Sequence, residues 1–324
     1  MRALASPASC KGALSAVGAA LALTAGMRAA GVDAEEAPVA DGGEGTAEVF
    51  AVTLGGEWRM APASDPLGRT VAARYLVLED GTAVVEAAEA IGLARLEEDE
   101  RDPMRGSSRG LGELLLAAAA EAGGPILVGL GDSSTVDGGA GLLEVVGDAF
   151  AARELRALCD VNNPLLGERG AARAFGPQKG ASPEQVEELE ARLAAMAELR
   201  PYAGLAGAGA AGGLGAAIAS LGGELVSGSE LVLDRIGFRA LATGADLVVT
   251  GEGTVDRSSN EGKAVGEVVR ICGEEGVRCV VFGGRVDEAL PGVETHALSG
   301  DPGRAADDLV ELGEKLGRTL LGFA

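Results

Sequence analysis

The lysines of this 324-residue chain are few, and three of the four stand beside a glycine. Of the 27 basic residues 23 are Arg, so Lys is the exception. An ammonium is a compact point charge whereas a guanidinium is a planar fork, so this choice predicts a site that needs a compact cation. Glycine is common, at 52 residues, so chance pairs remain an alternative. The three lysines are Lys11, Lys179 and Lys263.

Acidic residues cluster in the same glycine-marked segments, several of them directly after apolar, strand-like runs. Mg²⁺ prefers one or two carboxylates together with water and phosphate oxygens, so such loops are candidates for holding it. A single Asp in such a loop is as often a helix cap or a turn former. Four loops of this kind nevertheless favour one shared cleft. The acids are Asp41, Glu44, Asp132, Asp137, Asp160, Glu252 and Asp256.

A glycine-rich segment at 207–215 invites comparison with nucleotide-binding motifs. Gly207, Gly209 and Gly212 fit GxGxxG literally, but no β-branched strand precedes them, which argues against a Rossmann dinucleotide site and a hydride-transferring dehydrogenase. A glycine-rich turn that enters an Ala-rich helix still offers free N–H groups to a phosphate. The chain has no GxxxxGK[ST] P-loop and no HRD and DFG pair, so a kinase would belong to neither class.

The elements that must position these residues are strands and helices in alternation. Continuous apolar runs that end in glycine-rich turns predict a parallel sheet covered on both faces. Ligands bind at the carboxyl ends of the strands in such sheets. Helices are expected at about 13–30, at about 212–221 and at 183–199, the last with Ser182 as its N-cap. The predicted strands are 2–6, 126–131, 246–253 and 278–284.

The stretch 51–100 has a different pattern. Its half-alternating runs, one split by an Asp80-Gly81 turn, predict hairpins and a mixed sheet. We therefore expect an α/β protein of two domains, one with a Rossmann-like parallel sheet and one with a mixed sheet, and an active site in the cleft between them. The expected bounds are 1–50 plus 200–324 for the parallel domain and 51–199 for the mixed one.

Composition excludes some classes of partner. A net charge of −22 argues against nucleic acid and anionic membranes, which need a basic face. Four scattered cysteines without a CxxC pair fit a reduced, cytoplasmic location. Residues 1–30 superficially resemble a signal peptide, but Ser15, Gly18 and Thr24 interrupt the apolar run and Arg28 occupies the expected cleavage region, so export is not expected. The oligomeric state stays open, a homo-oligomer included.

Taken in order, these segments resemble the bacterial type I glycerate kinases. ADGGEGT (40–46) matches a family motif outright, and LGDSSTVDGGAG (130–141) resembles the family's GGSATNDGGAG. CDVNNPLLGERGAARAFGPQKGA (159–181) is the most specific match, and ADLVVTGEGTVDRSSNEGKA (245–264) completes the set. The resemblance runs from end to end.

The resemblance implies an ATP- and Mg²⁺-dependent enzyme that phosphorylates D-glycerate, with 2-phosphoglycerate the favoured product. On this hypothesis Lys11, Lys179 and Lys263 neutralise phosphate and carboxylate charge, and Asp41 or Asp160 orients the attacking hydroxyl. Glu252 and Asp256 would hold Mg²⁺. The substrate-binding candidates are Ser9, Glu44, Ser133, Ser134, Asp137, Asn163 and Gln178, and the nucleotide-binding candidates are Gly207, Gly209, Gly212, Gly213, Gly251 and Gly253.

The chain also departs from the family pattern. Ala8 and Val136 replace a family Asp and Asn, Asp132 replaces a Gly, and Ser258 replaces a Gln. Several dozen residues are missing after Phe150. Two alternatives therefore remain: a kinase of another small hydroxy acid on the same fold, and a relative that binds ligand without turnover.

Overall fold

The computed structural model describes residues 1–150, 153–260 and 263–323, which form two compact units. The first unit comprises Met1–Asp41, Glu48–Thr53 and Ser229–Ala324, and the second comprises Gly42–Ala47 and Leu54–Gly228. Gly262, the Ser258 side chain and the start of the shortened stretch after Phe150 lie outside the described residues.

The first unit is built on a five-stranded sheet in which every neighbouring pair is parallel, in the order β11-β10-β9-β1-β2. Its strands are β1 (Arg2–Ala5), β2 (Asp33–Glu36), β9 (Leu247–Val255), β10 (Cys279–Val286) and β11 (Glu294–Ala297). Its helices are α1 (Ala16–Ala29), α2 (Thr46–Leu54, at the boundary of the units), α9 (Gly228–Arg235), α10 (Phe238–Thr243), α11 (Ala264–Glu275) and α12 (Ala305–Leu320), with 3₁₀ turns at Arg257–Asn260 and Pro302–Arg304.

Both faces of this sheet are covered, which explains why its central strands are continuously apolar. Because side chains alternate along a strand, Ala3 and Ala5 join the core under α1 and α12, while Leu4 joins the core under α10 and α11. The segment that resembles a signal peptide thus supplies β1 and α1 to the core of this unit.

The second unit contains a six-stranded mixed sheet in the order β3-β4-β5-β6-β7-β8. The first two pairs are antiparallel and the other three parallel. Its strands are β3 (Glu57–Ser64), β4 (Thr70–Val77), β5 (Ala83–Glu86), β6 (Ile126–Gly129), β7 (Leu155–Leu158) and β8 (Glu224–Val226). Its helices are α3 (Ala87–Ile91), α4 (Arg109–Glu121), α5 (Ala140–Val146), α6 (Ala171–Phe175), α7 (Pro183–Ala195) and α8 (Ala210–Ser220), with 3₁₀ turns at Leu93–Arg95, Glu98–Glu100, Pro177–Lys179 and Ala197–Tyr202.

The expected fold class, a parallel sheet and a mixed sheet in one α/β chain, is confirmed. The Asp80-Gly81 turn joins β4 to β5, and Ser182 caps α7 through a capping box with Gln185. The sequence predicts residues 200–228 in the parallel domain, but β8 pairs with β7, so the contacts place this stretch in the second unit.

Gly26 allows α1 and α12 to approach closely. A Cβ atom there would overlap the Val310 carbonyl oxygen, whereas a Cβ at Gly18 would meet only side-chain atoms at 3.6 Å. We expect Gly26→Ala to lower the free energy of unfolding by about 2–3 kcal/mol, through overpacking. The control is Gly18→Ala in the same helix. Its free energy of unfolding should rise by up to about 1 kcal/mol, because Ala has the higher helix propensity. Urea denaturation of both variants tests this, and equal effects would contradict the packing argument.

Candidate functional site

Charged residues of the first unit gather at the carboxyl end of its parallel sheet. Lys11 follows β1, Asp41 follows β2, and Glu252 lies near the end of β9 with Asp256 just beyond it. Because parallel strands end at one edge of the sheet, the loops that follow them meet there. Lys263 enters this group as the N-cap residue of α11.

The Glu252 carboxyl group lies at the centre of this cluster. Burial raises its pKa, and the charges of Asp41 and Asp256 raise it further. A hydrogen bond from Ser259 and the charge of Lys263 oppose that rise. The structure therefore brings Asp41, Glu252, Asp256 and Lys263 together.

Lys11 belongs to the same group of residues. The preceding residue, Cys10, is buried, and burial together with the Glu252 charge raises its pKa to about 11. A Cβ at Gly253 would lie 3.3 Å from the Lys11 backbone nitrogen. The Lys11 backbone therefore lies against the end of β9, which carries Glu252, while the Lys11 side chain is exposed. Ser9, one residue before Cys10, is half-buried.

Glu252 and its neighbours fit the requirements of Mg²⁺. Its Oε1 atom is buried and makes no hydrogen bond. A buried oxygen of a carboxyl group normally has a partner, so an orphan points to a ligand. Among the described residues no three His, Cys, Asp or Glu side chains form a metal cluster. One or two carboxylates completed by water and phosphate oxygens is the arrangement that Mg²⁺ favours.

Ser259 is a residue that the sequence analysis missed. It is fully buried, and its hydroxyl oxygen accepts a hydrogen bond from the Asp256 backbone N–H at 3.1 Å. It also hydrogen-bonds Glu252 and lowers the pKa of that carboxyl. Ser259 therefore ties both predicted metal ligands together. Its position in the polar segment 257–260, directly after an apolar strand, was the available signal.

Lys179 is the centre of a second cluster, in the second unit. The residue is 3% exposed, and its ammonium group donates to the Ser133 hydroxyl at 3.1 Å and to the Thr135 carbonyl at 2.8 Å. Burial lowers its pKa to about 7, although the charges of Asp137 and Asp132 favour the protonated form. In the structure Lys179 therefore holds the 132–135 loop through hydrogen bonds.

The carboxylate of Asp137 is occupied by protein hydrogen-bond donors. It accepts from the Ser108 backbone and hydroxyl at 2.8 and 2.7 Å, and from the backbones of Gly139 and Gly141. Ser134 donates its hydroxyl to the Ile91 carbonyl at 3.0 Å. These contacts support structural roles for two of the predicted substrate-binding residues, with Ser108 as a partner that the sequence did not reveal.

Asp160 and Asn163 each bind backbone groups in the structure. Asp160 accepts hydrogen bonds through Oδ1 from the Ser227 hydroxyl at 2.9 Å and the Gly228 N–H at 2.8 Å. Asn163 donates to the Arg169 carbonyl at 2.7 Å. Two further candidates, Glu44 and Gln178, are exposed.

The glycines of the 207–215 segment are buried and packed against other backbone segments. A Cβ at Gly209 would overlap the Pro164 carbonyl oxygen, and one at Gly212 would overlap that of Thr135. A Cβ at Gly213 would lie 2.8 Å from the Gly138 Cα atom, and one at Gly207 would lie 3.1 Å from the Cys159 Sγ atom. This packing explains the need for glycine without a phosphate, so their nucleotide-binding role stays a prediction. The same holds for Gly251, where a Cβ would overlap the Phe282 carbonyl oxygen.

The structure shows the surroundings or the backbone conformation of two residues that depart from the family pattern. Val136 is 1% exposed and lies in an apolar cluster with Leu165, Leu189 and Leu193, so it is a core residue. Asp132 adopts φ = 58°, a left-handed conformation that favours glycine. The Asp132 backbone is therefore strained where the family motif has Gly.

None of the helices in the described part of the chain is long and apolar enough to span a membrane.

The sequence matches the family model described as the glycerate kinase family over residues 3–154 and 148–300. It is 37% identical to the glycerate 2-kinase of Escherichia coli strain K12, an alignment that covers 92% of this chain and 89% of that protein. It is 35% identical to a glycerate kinase of Halalkalibacterium halodurans, over 90% of this chain and 87% of that protein. The crystal structure of a provisionally assigned glycerate kinase 2 from Salmonella typhimurium LT2 superposes with a TM-score of 0.86 at 31% identity, and covers 99% of this chain and 98% of that one.

Proposed function

The chain belongs to the glycerate kinase family, which makes it an enzyme that phosphorylates glycerate, and from this premise we propose that it transfers the γ-phosphoryl group of ATP to D-glycerate with 2-phosphoglycerate as the product. The observation that carries the proposal is the buried, unpartnered Oε1 of Glu252 among two further carboxylates and a lysine. Phosphoryl transfer requires little more than positioning and neutralisation of phosphate charge, and these groups supply both.

Glu252 and Asp256 are the residues assigned to Mg²⁺, which when bound neutralises charge on the phosphate oxygens. Ser259 hydrogen-bonds the Glu252 carboxyl group and the Asp256 backbone N–H, so it holds the two residues next to each other. Lys11 and Lys263 add positive charge at the same edge of the sheet. The charge that develops on the transferring group would then be met by preorganised cations.

We assign the orientation of the attacking hydroxyl to Asp41 rather than Asp160. Asp41 is exposed and close enough to Glu252 to raise the pKa of that group. Asp160 has one carboxylate oxygen occupied by Ser227 and Gly228, which fits a positioning role. A carboxylate placed beside the hydroxyl can accept its proton as the new bond forms.

Replacement of Lys11 by Ala should lower kcat/KM for D-glycerate by about tenfold or more, because a cation is removed from the transition state, while its exposure keeps the effect moderate. The matched control is Lys315→Ala, which removes an equally exposed lysine from α12 and should leave the rate unchanged. A coupled assay of ADP release measures both. Equal rates for the two variants would exclude a catalytic role for Lys11.

A second candidate is a kinase for another small hydroxy acid, which the strained Asp132 in a family glycine position favours. A panel of hydroxy acids with Mg-ATP separates the two, because glycerate should give the highest kcat/KM under our proposal. The core location of Val136 weakens this alternative, since that departure concerns packing. A relative that binds without turnover would instead show thermal stabilisation by ATP and no ADP release with any acid.

A further inference from the structure

Glu86 is a buried carboxyl group that the mechanism above does not use. It ends β5, pairs in register with Gly129 of β6, and is 4% exposed. Its Oε1 accepts a hydrogen bond from the Ala47 N–H at 2.7 Å, and it also accepts from the Gly45 N–H. Although Glu86 is the N-cap residue of α3, its side chain makes no hydrogen bond to that helix. The carboxyl group therefore serves the 42–47 loop rather than its own helix.

The 42–47 loop is packed tightly against the ends of the neighbouring strands. A Cβ at Gly129 would lie 2.8 Å from the Gly42 carbonyl oxygen, and a Cβ at Gly42 would lie 2.5 Å from the Leu158 Cβ. A Cβ at Gly131 would overlap Gly43. A side chain at Gly42, Gly129 or Gly131 would therefore force the loop or the neighbouring strand ends to shift. The Glu86 carboxyl group adds the polar contact that satisfies two of its N–H groups.

We propose that Glu86 is a positioning residue for phosphoryl transfer, which fixes the 42–47 loop and through it the predicted substrate-binding residue Glu44. This inference rests on the proposed function, because the loop matters for catalysis only if Glu44 serves the reaction. Glu86 acts indirectly, through its hydrogen bonds to the backbone of the loop.

The strength of this contact should depend on pH near neutrality. Burial raises the pKa of Glu86 to about 7 against the opposing effect of the two N–H bonds. The charged groups that act on it are Glu89 of α3, which raises the pKa, and Arg74 of β4, which lowers it. A protonated carboxyl is a weaker acceptor, so the loop should be held more firmly above pH 7 than below it.

The test is Glu86→Gln, which keeps the shape of the side chain but removes the charge that strengthens its hydrogen bonds to the loop. The matched control is Asp65→Asn, because Asp65 is also buried and accepts backbone N–H bonds, in a turn at 65–69 of the same unit. Hydrogen exchange of the 42–47 peptide and steady-state kinetics are measured from pH 6 to 8. We expect Glu86→Gln to lower the protection factors of the loop and kcat by about tenfold each. This is the effect expected when one charge-assisted hydrogen bond is lost.

In the wild type, protection of the loop should rise with pH through about 7, and in Glu86→Gln this dependence should disappear. Asp65→Asn should keep the pH dependence of both measurements. Unchanged protection in Glu86→Gln would overturn the proposal. So would a loss of kcat no larger than that of the control. The exchange measurement does not depend on turnover, so absence of glycerate kinase activity would count against the proposed function alone.

Discussion

Replacement of Glu252 by Gln is expected to lower kcat/KM for D-glycerate about 10³-fold, the scale of losing a preorganised electrostatic group in a phosphoryl-transfer site. Gln keeps the shape of the side chain, and the contact with Ser259 can persist. The negative charge of the carboxyl group that carries the unpartnered Oε1 is lost. The dependence of the initial rate on Mg²⁺ concentration should shift to higher concentration. Stability should not fall, because burial already disfavours the charged form.

The control for this variant is Glu294→Gln. Glu294 lies on β11 of the same unit, where it pairs with Arg278 and His296. The same chemical change there should leave kcat/KM within about twofold, because exposed ion pairs contribute little. If the Glu252→Gln enzyme keeps the wild-type kcat/KM and its Mg²⁺ dependence does not shift, this carboxylate does not bind the metal.

Replacement of Lys179 by Met is expected to lower kcat/KM about 10²-fold, because the 132–135 loop loses its buried tie and polar atoms are left unpaired. It should also change how stability depends on pH. The folded-state pKa of Lys179, about 7, lies below the unfolded value of 10.5. The unfolded chain therefore binds more protons between these values, and this group makes the wild type more stable as pH rises.

Urea denaturation at pH 7 and pH 9 measures this effect as the difference between wild type and Lys179→Met. The wild type should gain about 2 kcal/mol over the variant across that interval. The exposed Lys315→Met on α12 is the control, and its difference from the wild type should not change with pH. A flat difference for Lys179→Met would show that the buried amine keeps its ordinary pKa.

The strands that position the candidate site were predictable from the sequence for a clear physical reason. A fully buried parallel strand must be continuously apolar, and β6, β9 and β10 have that pattern. The acids after these strands could then be placed at one edge. For the first unit this reasoning placed Glu252 and Asp256 together at the end of β9. Asp41 joins them from the loop after β2, a strand that the sequence did not predict.

Contacts between distant segments could not be predicted in the same way. The glycines at 207–215 match a phosphate-binding pattern, but their need for glycine comes from backbones at Pro164 and Thr135 that only the fold brings close. The sequence places residues 200–228 with the parallel sheet, and it contains no pattern that reveals the pairing of β8 with β7. Glu86 was missed because a lone polar residue at the end of an apolar strand carries no signal of its own. Ser259 was missed because its position in the polar segment 257–260 does not distinguish it from its neighbours.

The buried state of Lys179 was equally hidden from the sequence. A lysine beside a glycine in a polar segment predicts an accessible cation, whereas the fold encloses it and leaves Ser133 and Thr135 as its partners. Whether the residues of both units serve a single reaction stays a prediction. The Glu252 and Lys179 variants test this prediction, because Glu252 belongs to the first unit and Lys179 to the second. Both variants should lose the same glycerate kinase activity.

Product identification by phosphorus NMR directly tests the proposed transfer of phosphate from ATP to the 2-oxygen of D-glycerate. Wild-type enzyme is incubated with D-glycerate, ATP and Mg²⁺, and the phosphate ester is located by its coupling to the carbon-bound protons. We expect ADP and glycerate bearing a phosphate on its 2-oxygen in equal amounts. ATP that persists, or that yields only inorganic phosphate, with no ester of glycerate formed, would contradict the assignment.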